Sequence, residues 1–279
     1  MAETNQTKPF GSYPPSAFQS WLMAMGHRMP DTWGGRRGAS FIRSIMKRWA
    51  GQPIDAVRLG SRMRLHASGN ASEKRLMISP QFFDPHELAI LEKELKPGFV
   101  FIDIGANAGT YTVALSRLAA RVVSFEPVAH SRAILERVKR RAGLDNVTIL
   151  DLALADVEGS ARMTIPTEGF YGGYYLAALN DQGTVPVRLA TIDGLIAAGA
   201  PEPDFIKCDV EGAEGRVIDG AEQLLARRRP TWLLETFDDR VLARMQSFGY
   251  SMHAHCGAGR VEPVLSCTRI NRNYFLVPA

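Results

Sequence analysis

The sequence lacks the features of disulfide-bonded, zinc-binding and membrane-spanning proteins. Its 279 residues include three cysteines, Cys208, Cys256 and Cys267, and no two of them form a Cys-x-x-Cys pair. This odd, unpaired set argues against a disulfide framework or a zinc site and favours a reducing compartment. No apolar run approaches the roughly 20 residues that cross a bilayer, and the N-terminus has no signal-peptide core. We therefore expect a cytoplasmic protein.

The sequence also has no large excess of positive or negative charge and no clustered metal ligands. The net charge is only +4, and contents of 46% apolar and 22% charged residues are ordinary for a soluble globular chain. The six histidines show no metal-ligand spacing beyond His253-Ala254-His255, which we predict to be part of a surface strand. A small positive excess leaves many classes of partner open.

The first 50 residues differ in composition from the rest, and we predict that residues 1–50 form a basic, partly irregular extension. Between residues 36 and 49, basic side chains alternate with apolar ones at helical spacing, which predicts a short amphipathic helix capped by Ser40. Such a helix either packs on its own domain or contacts a membrane surface or a partner through residues 36–49.

The remaining chain predicts an α/β fold. Residues 51–97 are expected to form a hairpin, with Gly60-Ser61 at its turn, and a helix over 85–95. Residues 98–279 form the main domain, in which short apolar strands alternate with helices, the pattern of a mostly parallel sheet covered by helices on both faces. The predicted strands are 100–104, 122–125, 147–154, 205–210 and 232–234, and the predicted helices are 111–118 and 131–141.

A glycine-containing loop follows the first predicted strand of the main domain. Gly105 and Gly109 allow a sharp turn and close approach of a ligand, but no third glycine follows, so the loop is not a dinucleotide-binding Gly-x-Gly-x-x-Gly. Asp103 would repel a pyrophosphate, whereas S-adenosylmethionine has no phosphate and is cationic. We therefore predict a loop that binds S-adenosylmethionine, with cofactor-binding residues Asp103, Gly105, Asn107, Gly109 and Tyr111.

Further cofactor contacts are expected at the next two strands. Glu126 lies 23 residues after Asp103 and is followed by Pro127. An acid about 20 residues on, at the tip of the second strand, is placed to accept both ribose hydroxyls. Asp151 and Leu154 end the third predicted strand, where the adenine would lie.

These segments resemble the FkbM-type methyltransferases. The resemblance covers about residues 54–240 and rests on Asp103–Gly109, on Phe125-Glu126-Pro127 and, most specifically, on residues 204–214, which include Asp-Val-Glu-Gly. It implies a Rossmann-like class I methyltransferase fold. It also implies methylation of a hydroxyl on a sugar, a glycolipid or polysaccharide, or a polyketide-like molecule. Cys208 departs from the family pattern, where an apolar residue is commoner.

The second motif also predicts the catalytic residues. Alternation along a strand places Lys207 and Asp209 on one face, and Glu211 follows at the carboxyl end, which faces the ligand crevice. We predict Asp209 or Glu211 as the base that activates the acceptor hydroxyl, with Lys207 orienting it. A buried ion pair that only stiffens the sheet is the alternative. A magnesium ion held by Asp209 and Glu235 is a second, less favoured alternative.

Two other functions stay open on the sequence alone. A nucleic-acid methyltransferase would use the basic N-terminus and Arg227-Arg228-Arg229, although Asp-Val-Glu-Gly is unlike the Asn/Asp-Pro-Pro-aromatic run common in base-modifying enzymes. A non-catalytic adaptor that binds S-adenosylmethionine is the other, and a dehydrogenase is disfavoured by the loop. The aromatic segment 168–175 suggests a lid over a cyclic acceptor.

Overall fold

The computed structural model describes residues 8–48, 51–67, 71–165, 178–179, 182–227, 230–255, 261–263 and 273–279. They form two compact units. One comprises residues 8–85 and 137–144, and the other comprises the remaining described residues. The predicted boundaries at residues 50 and 97 stay predictions.

The first unit combines helices with one hairpin. Its elements are α1 (Ala17–His27), α2 (Trp33–Arg48), β1 (Ile54–Arg58), β2 (Ser61–Leu65), α3 (Ala71–Ile78) and a 3-10 turn (Pro80–Phe82). The predicted hairpin is confirmed, since β1 and β2 pair antiparallel with Arg58 opposite Ser61. A buried ion pair stabilises it, in which Arg64 donates to both carboxylate oxygens of Asp55 at 2.6 and 2.8 Å.

The predicted helix start at Ser40 is wrong, because Ser40 lies inside α2. The Oγ1 atom of Thr32 accepts a hydrogen bond from the amide of Gly35, so Thr32 makes the capping contact eight residues earlier. Glycine has a low helix propensity, but tertiary packing at Gly35 outweighs it. A Cβ atom on Gly35 would lie 2.0 Å from the carbonyl oxygen of Pro30.

An eight-stranded sheet forms the core of the second unit. Its strands run in the order β13-β12-β14-β11-β10-β3-β4-β5. They are β3 (Val100–Ile104), β4 (Arg121–Phe125), β5 (Val147–Leu150), β10 (Phe205–Cys208), β11 (Thr231–Glu235), β12 (Tyr250–His255), β13 (Val261–Pro263) and β14 (Asn273–Pro278). The five strands from β5 to β11 are parallel, and the other three pair antiparallel. This confirms the mostly parallel sheet.

The strand order reverses between β3 and β10, and this reversal positions the site. Strand β3 pairs with β4 on one side and with β10 on the other, so the chain winds outward in both directions. In such sheets, ligands bind at the carboxyl ends of the strands beside the switch point. Asp103 and Lys207 are direct partners in the β3–β10 register.

Helices cover the sheet and connect its strands. They are α4 (Pro85–Glu94), α5 (Thr110–Leu115), α6 (Ala129–Ala142), α7 (Ile192–Ala197), α8 (Glu214–Asp219), α9 (Glu222–Ala226) and α10 (Asp239–Ser247). Ile206 and Trp232 on one sheet face belong to a core shared with α8, α9 and α10. Asp103 on the opposite face contacts α5 through Thr112. None of the helices in the described ranges is long and apolar enough to cross a membrane.

Two strand predictions need correction. The predicted strand 147–154 is two strands, because the chain leaves the large sheet after Leu150 and joins a small one. That second sheet has the order β6-β9-β7-β8, with β6 (Ala153–Leu154), β7 (Gly159–Thr164), β8 (Ala178–Leu179) and β9 (Val185–Ala190). The strand predicted over 205–210 ends at Cys208, so Asp209 lies in the loop that follows.

Candidate active site

A cavity lies at the carboxyl ends of β3, β4 and β10. Its described wall carries three acids, Glu126, Asp209 and Glu211, and no lysine or arginine. The other described lining residues are mainly apolar and come from both sheets: Ile104, Gly105, Asn107, Phe125, Pro127, Val128, Leu152, Ala153, Leu154, Met163, Val210 and Ala213. The cavity is therefore suited to a ligand that has an apolar ring and positive charge or hydroxyl donors.

Positive φ angles and close neighbouring atoms restrict which residues the glycine loop can contain. Gly105 has φ +73°, and a Cβ atom there would lie 1.9 Å from the carbonyl oxygen of Asp209. Gly109 has φ +88°, and a Cβ atom would lie 2.2 Å from Leu135 Cδ1. Asn107 adopts φ 50° without being glycine. Any side chain at Gly105 would separate β3 from the loop after β10.

Glu126 links the loop to the end of β4. Its Oε2 atom accepts a hydrogen bond of 2.7 Å from the amide of Asn107, and Oε1 accepts one of 2.7 Å from the amide of Val128. Each oxygen keeps a second lone pair, because a carboxylate accepts about four bonds. Burial raises the pKa of Glu126 to about 7, although both amide bonds oppose the rise.

Asp103 is fully buried behind this cavity and is not part of its wall. Its Oδ2 atom accepts hydrogen bonds from the amide and the hydroxyl of Thr112, at 3.0 and 2.6 Å. The Oδ1 atom lies 3.6 Å from Nζ of Lys207. Asp103 is therefore linked to the cavity wall through Lys207, which also lies beside Asp209, and its direct contact with the cofactor stays a prediction.

Lys207 joins three groups at the switch point. Its Nζ donates a 3.0 Å hydrogen bond to the carbonyl oxygen of Gly105 and lies 3.5 Å from Oδ2 of Asp209. It also lies 5.5 Å from the ring centroid of Tyr111. Burial lowers the pKa of Lys207, but the carboxylates of Asp209 and Asp103 outweigh this and hold its pKa above the usual value. Lys207 therefore stays charged. It contacts the wall residues Gly105 and Asp209 but does not line the cavity itself.

The loop after β10 carries the two acids that the sequence marked as candidate bases. Glu211 has φ 53° and precedes Gly212, whose amide donates a 2.9 Å hydrogen bond to Oε1 of the buried Glu214. Partial desolvation, followed by repulsion from Asp209 and Glu214, raises the pKa of Glu211 to about 7. A carboxylate of this pKa can accept a proton near neutral pH.

A second, larger crevice begins on the other side of this loop. Asp209 and Glu211 belong to the walls of both cavities. Many of its described lining residues are charged: Asp209, Glu211, Glu214, Arg216, Asp219, Glu235, Asp238, Asp239, Arg240 and Arg244. The magnesium candidates Asp209 and Glu235 thus share one wall. Even so, the described residues contain no group of three or more His, Cys, Asp or Glu side chains that could hold a metal ion.

Several predicted contacts lie outside the first cavity. Among the predicted cofactor-binding and catalytic residues, its wall omits Asp103, Gly109, Tyr111, Asp151 and Lys207. Asp151 is exposed and pairs with Arg132 at 2.7 Å. The sequence interpretation missed Met163, which reaches the wall because β7 belongs to the small sheet, and no local signal in the chain marks that sheet. The aromatic segment 168–175 lies outside the described residues.

Comparison with known proteins places these residues in a family. Residues 103–252, more than half of the chain, match the family model described as the methyltransferase FkbM domain. The search of curated proteins found no significant match. The predicted class I methyltransferase fold is confirmed by the family match together with the strand order.

Two solved structures illustrate the similarity. One is the methyltransferase FkbM from Methylobacillus flagellatus KT, with 15% identity and a TM-score of 0.46, over 88% of this chain and 61% of that one. This chain thus spans less than two thirds of its length. The other is a TehB-like SAM-dependent methyltransferase from Corynebacterium glutamicum, with 11% identity, a TM-score of 0.39, and coverage of 70% and 88%.

Proposed function

Because the chain belongs to the FkbM methyltransferase family, we propose that it transfers a methyl group from S-adenosylmethionine to a hydroxyl of a small-molecule or glycan acceptor. The acceptor class is a sugar, a glycolipid or polysaccharide, or a polyketide-like molecule. The observation that carries the proposal is the first cavity, whose described wall holds Glu126, Asp209 and Glu211 and no basic residue. We also propose a cytoplasmic site of action, which the odd number of cysteines and the absence of a Cys-x-x-Cys pair in the sequence favour.

The wall fits a cationic nucleoside better than a phosphorylated one. A pyrophosphate would meet three carboxylates with no described lysine or arginine to neutralise it. Glu126 has a free lone pair on each oxygen for the two ribose hydroxyls, and Leu154 with Met163 supplies an apolar surface for adenine. The acids at the other end, Asp209 and Glu211, suit the positive end of the cofactor.

The chain's own contribution to the chemistry is alignment and proton removal. S-adenosylmethionine supplies a methyl group on a sulfonium sulfur, and most of the catalysis comes from holding the two reactants in line. Glu211 borders both the first cavity and the polar crevice, so it reaches an acceptor that enters from the crevice. Its pKa of about 7 suits it to take the hydroxyl proton. Asp209 is neutralised by Lys207 and helps to position the acceptor.

Binding of S-adenosylhomocysteine, measured by calorimetry, tests the cofactor assignment. We expect the protein to bind it and not NAD, and Glu126→Gln to weaken binding by about 1–3 kcal/mol, the range for a hydrogen bond to a charged group. Glu94→Gln, at an exposed glutamate on α4, is the control and should bind normally. Binding of NAD with no response to S-adenosylhomocysteine would reject the proposal.

Methyl transfer is then tested with labelled cofactor and separate pools of glycans, small alcohols and RNA. Label in a hydroxyl-containing acceptor supports the proposed reaction. Label in RNA alone would favour the nucleic-acid alternative. Tight cofactor binding without transfer to any pool would favour the non-catalytic adaptor, so failure of the reaction is distinguished from failure of cofactor binding.

A further inference from the structure

Exposed aromatic side chains are concentrated on the two N-terminal helices. Eight large apolar side chains are exposed among the described residues, and half of them, Phe18, Trp21, Trp33 and Phe41, lie on α1 or α2. Trp33 and Phe41 are 76% and 68% exposed. Large exposed apolar side chains that cluster on one element mark a surface used for binding.

Helix α2 has one buried face and, on its opposite side, one exposed face. Its buried residues, Gly35, Ala39, Ile42 and Met46, recur at helical spacing and attach the helix to its unit. The opposite side presents an exposed stripe of residues three or four apart, Trp33, Arg37, Phe41, Ser44 and Arg48. We call this set the aromatic–basic stripe. Its aromatic rings are therefore not needed to fill the core of their own unit.

The charge on α2 has one sign. The helix has five basic residues and no Asp or Glu. Within the stripe, the guanidinium carbon of Arg37 lies 4.8 Å from the ring centroid of Trp33. This pairing holds the cation and the indole together on the exposed side. A partner that fits the stripe must therefore be negatively charged and also accept aromatic rings.

We propose that the aromatic–basic stripe docks the protein on an anionic phospholipid surface, with α2 lying in the plane of the interface. Trp and Phe rings enter the boundary between headgroups and acyl chains, and arginines neutralise lipid phosphates beside them. The helix has 16 residues and high polarity, so it lies on the bilayer and does not span it. A nucleic acid would match the arginines, but two aromatic rings separated by two turns match a lipid interface better.

Vesicle sedimentation tests the proposal with the full chain. We expect binding to vesicles of equal parts phosphatidylcholine and phosphatidylglycerol, weaker binding to pure phosphatidylcholine, and loss of binding at high salt. The Arg37→Glu/Arg48→Glu variant should partition at least about tenfold more weakly, since each basic residue near the surface contributes several-fold. Lys93→Glu/Lys96→Glu, with the same change in net charge on exposed residues outside the stripe, should bind like the parent.

A second variant separates the aromatic contribution from charge. Trp33→Ala/Phe41→Ala should lose at least about tenfold in partitioning while its melting temperature stays within a few degrees of the parent, because both rings are exposed. Trp33→Phe should keep binding but lose part of the fluorescence quenching by brominated lipid. Equal binding of parent and both stripe variants would overturn the proposal. So would competition by single-stranded RNA together with no vesicle binding.

Discussion

The amine of Lys207 bonds to the carbonyl oxygen of Gly105 at 3.0 Å and thereby ties β10 to the loop that follows β3. The same amine lies 3.6 Å from Asp103 and 3.5 Å from Asp209. One buried cation thus balances the carboxylate of Asp103 on β3 and that of Asp209 in the loop after β10, and it orients the carbonyl of Gly105. We interpret Lys207 as a positioning residue, because it is not part of the wall of the cavity.

Replacing Lys207 by methionine should strongly destabilise the fold. The substitution leaves the carboxyl group of Asp103 fully buried with no cation beside it, and breaking a buried pair in this way costs about 3–5 kcal/mol. Urea unfolding measures the loss. Adding Asp103→Asn to Lys207→Met should recover part of it, because the unpaired charge disappears. If Lys207→Met costs no more than Lys93→Met on the exposed side of α4, the buried pair does not stabilise the fold.

Gly105→Ala should lower the free energy of unfolding by more than the positive φ angle of the backbone alone explains. Its Cβ atom would meet the carbonyl oxygen of Asp209 at 1.9 Å, so we expect a loss of about 2–4 kcal/mol and weaker cofactor binding. Gly143→Ala is the matched control, since Gly143 has φ +64° and an added Cβ atom would meet no other atom within 4 Å. It should lose only about 1 kcal/mol. Equal losses would show that the contact with the Asp209 carbonyl is relieved.

Glu126 should make stability depend on pH near neutrality. Its pKa is about 7 in the fold and near 4.5 in the unfolded chain, so the folded state holds the extra proton between these values. Stability therefore falls as pH rises from about 4.5 to 7, by an amount on the order of 3 kcal/mol. Urea unfolding of the free protein across this range should show the fall.

Glu126→Gln should flatten that profile, and Glu94→Gln should leave it unchanged. The glutamine cannot ionise, so the penalty for a buried carboxylate above pH 7 disappears. An unchanged slope in Glu126→Gln would mean that Glu126 titrates normally in the fold.

Glu211 should set the acid limb of the rate profile. If Glu211 takes the hydroxyl proton, kcat rises with pH along an acid limb, because the carboxylate must be ionised to act as base. The midpoint of that limb should lie below the free protein's pKa of about 7, because the bound sulfonium favours the charged carboxylate. Glu211→Gln should lower kcat by roughly 10²–10⁴-fold, with little change in the affinity for S-adenosylhomocysteine. Calorimetry and steady-state rates at several pH values separate the two effects. A variant that retains the parent's rate and acid limb would assign the base elsewhere, with Asp209 the next candidate.

Local patterns in the sequence predicted the centre of the fold well. Gly105 and the apolar residues before it predict a buried strand and a turn, and β3 with its loop is present as expected. Glu126 lines the cavity because strand ends in a parallel sheet meet at one edge. These features depend on neighbours in the chain, which is why one sequence reveals them.

Contacts between distant segments were not predictable in the same way. The small sheet depends on pairing of Ala153 with Leu189 and of Met163 with Val185, which no short window encodes. The start of α2 was misplaced because packing of Gly35 on Pro30 outweighs local propensity. The pairing of Asp103 with Lys207, which lies on a strand more than 100 residues later, is a contact of the same kind.

Asp209 and Glu211 line two compartments, the first cavity and the crevice, so under the proposed function the charge of a ligand in one compartment acts on acids that also face the other. A cation that settles in the first compartment lowers the proton affinity of Glu211, so its arrival expels a proton into solvent. If Glu211 is the base, the acceptor then meets a larger ionised fraction of it once the donor is in place. The effect is reciprocal, so an acceptor that prefers the ionised base tightens retention of the donor.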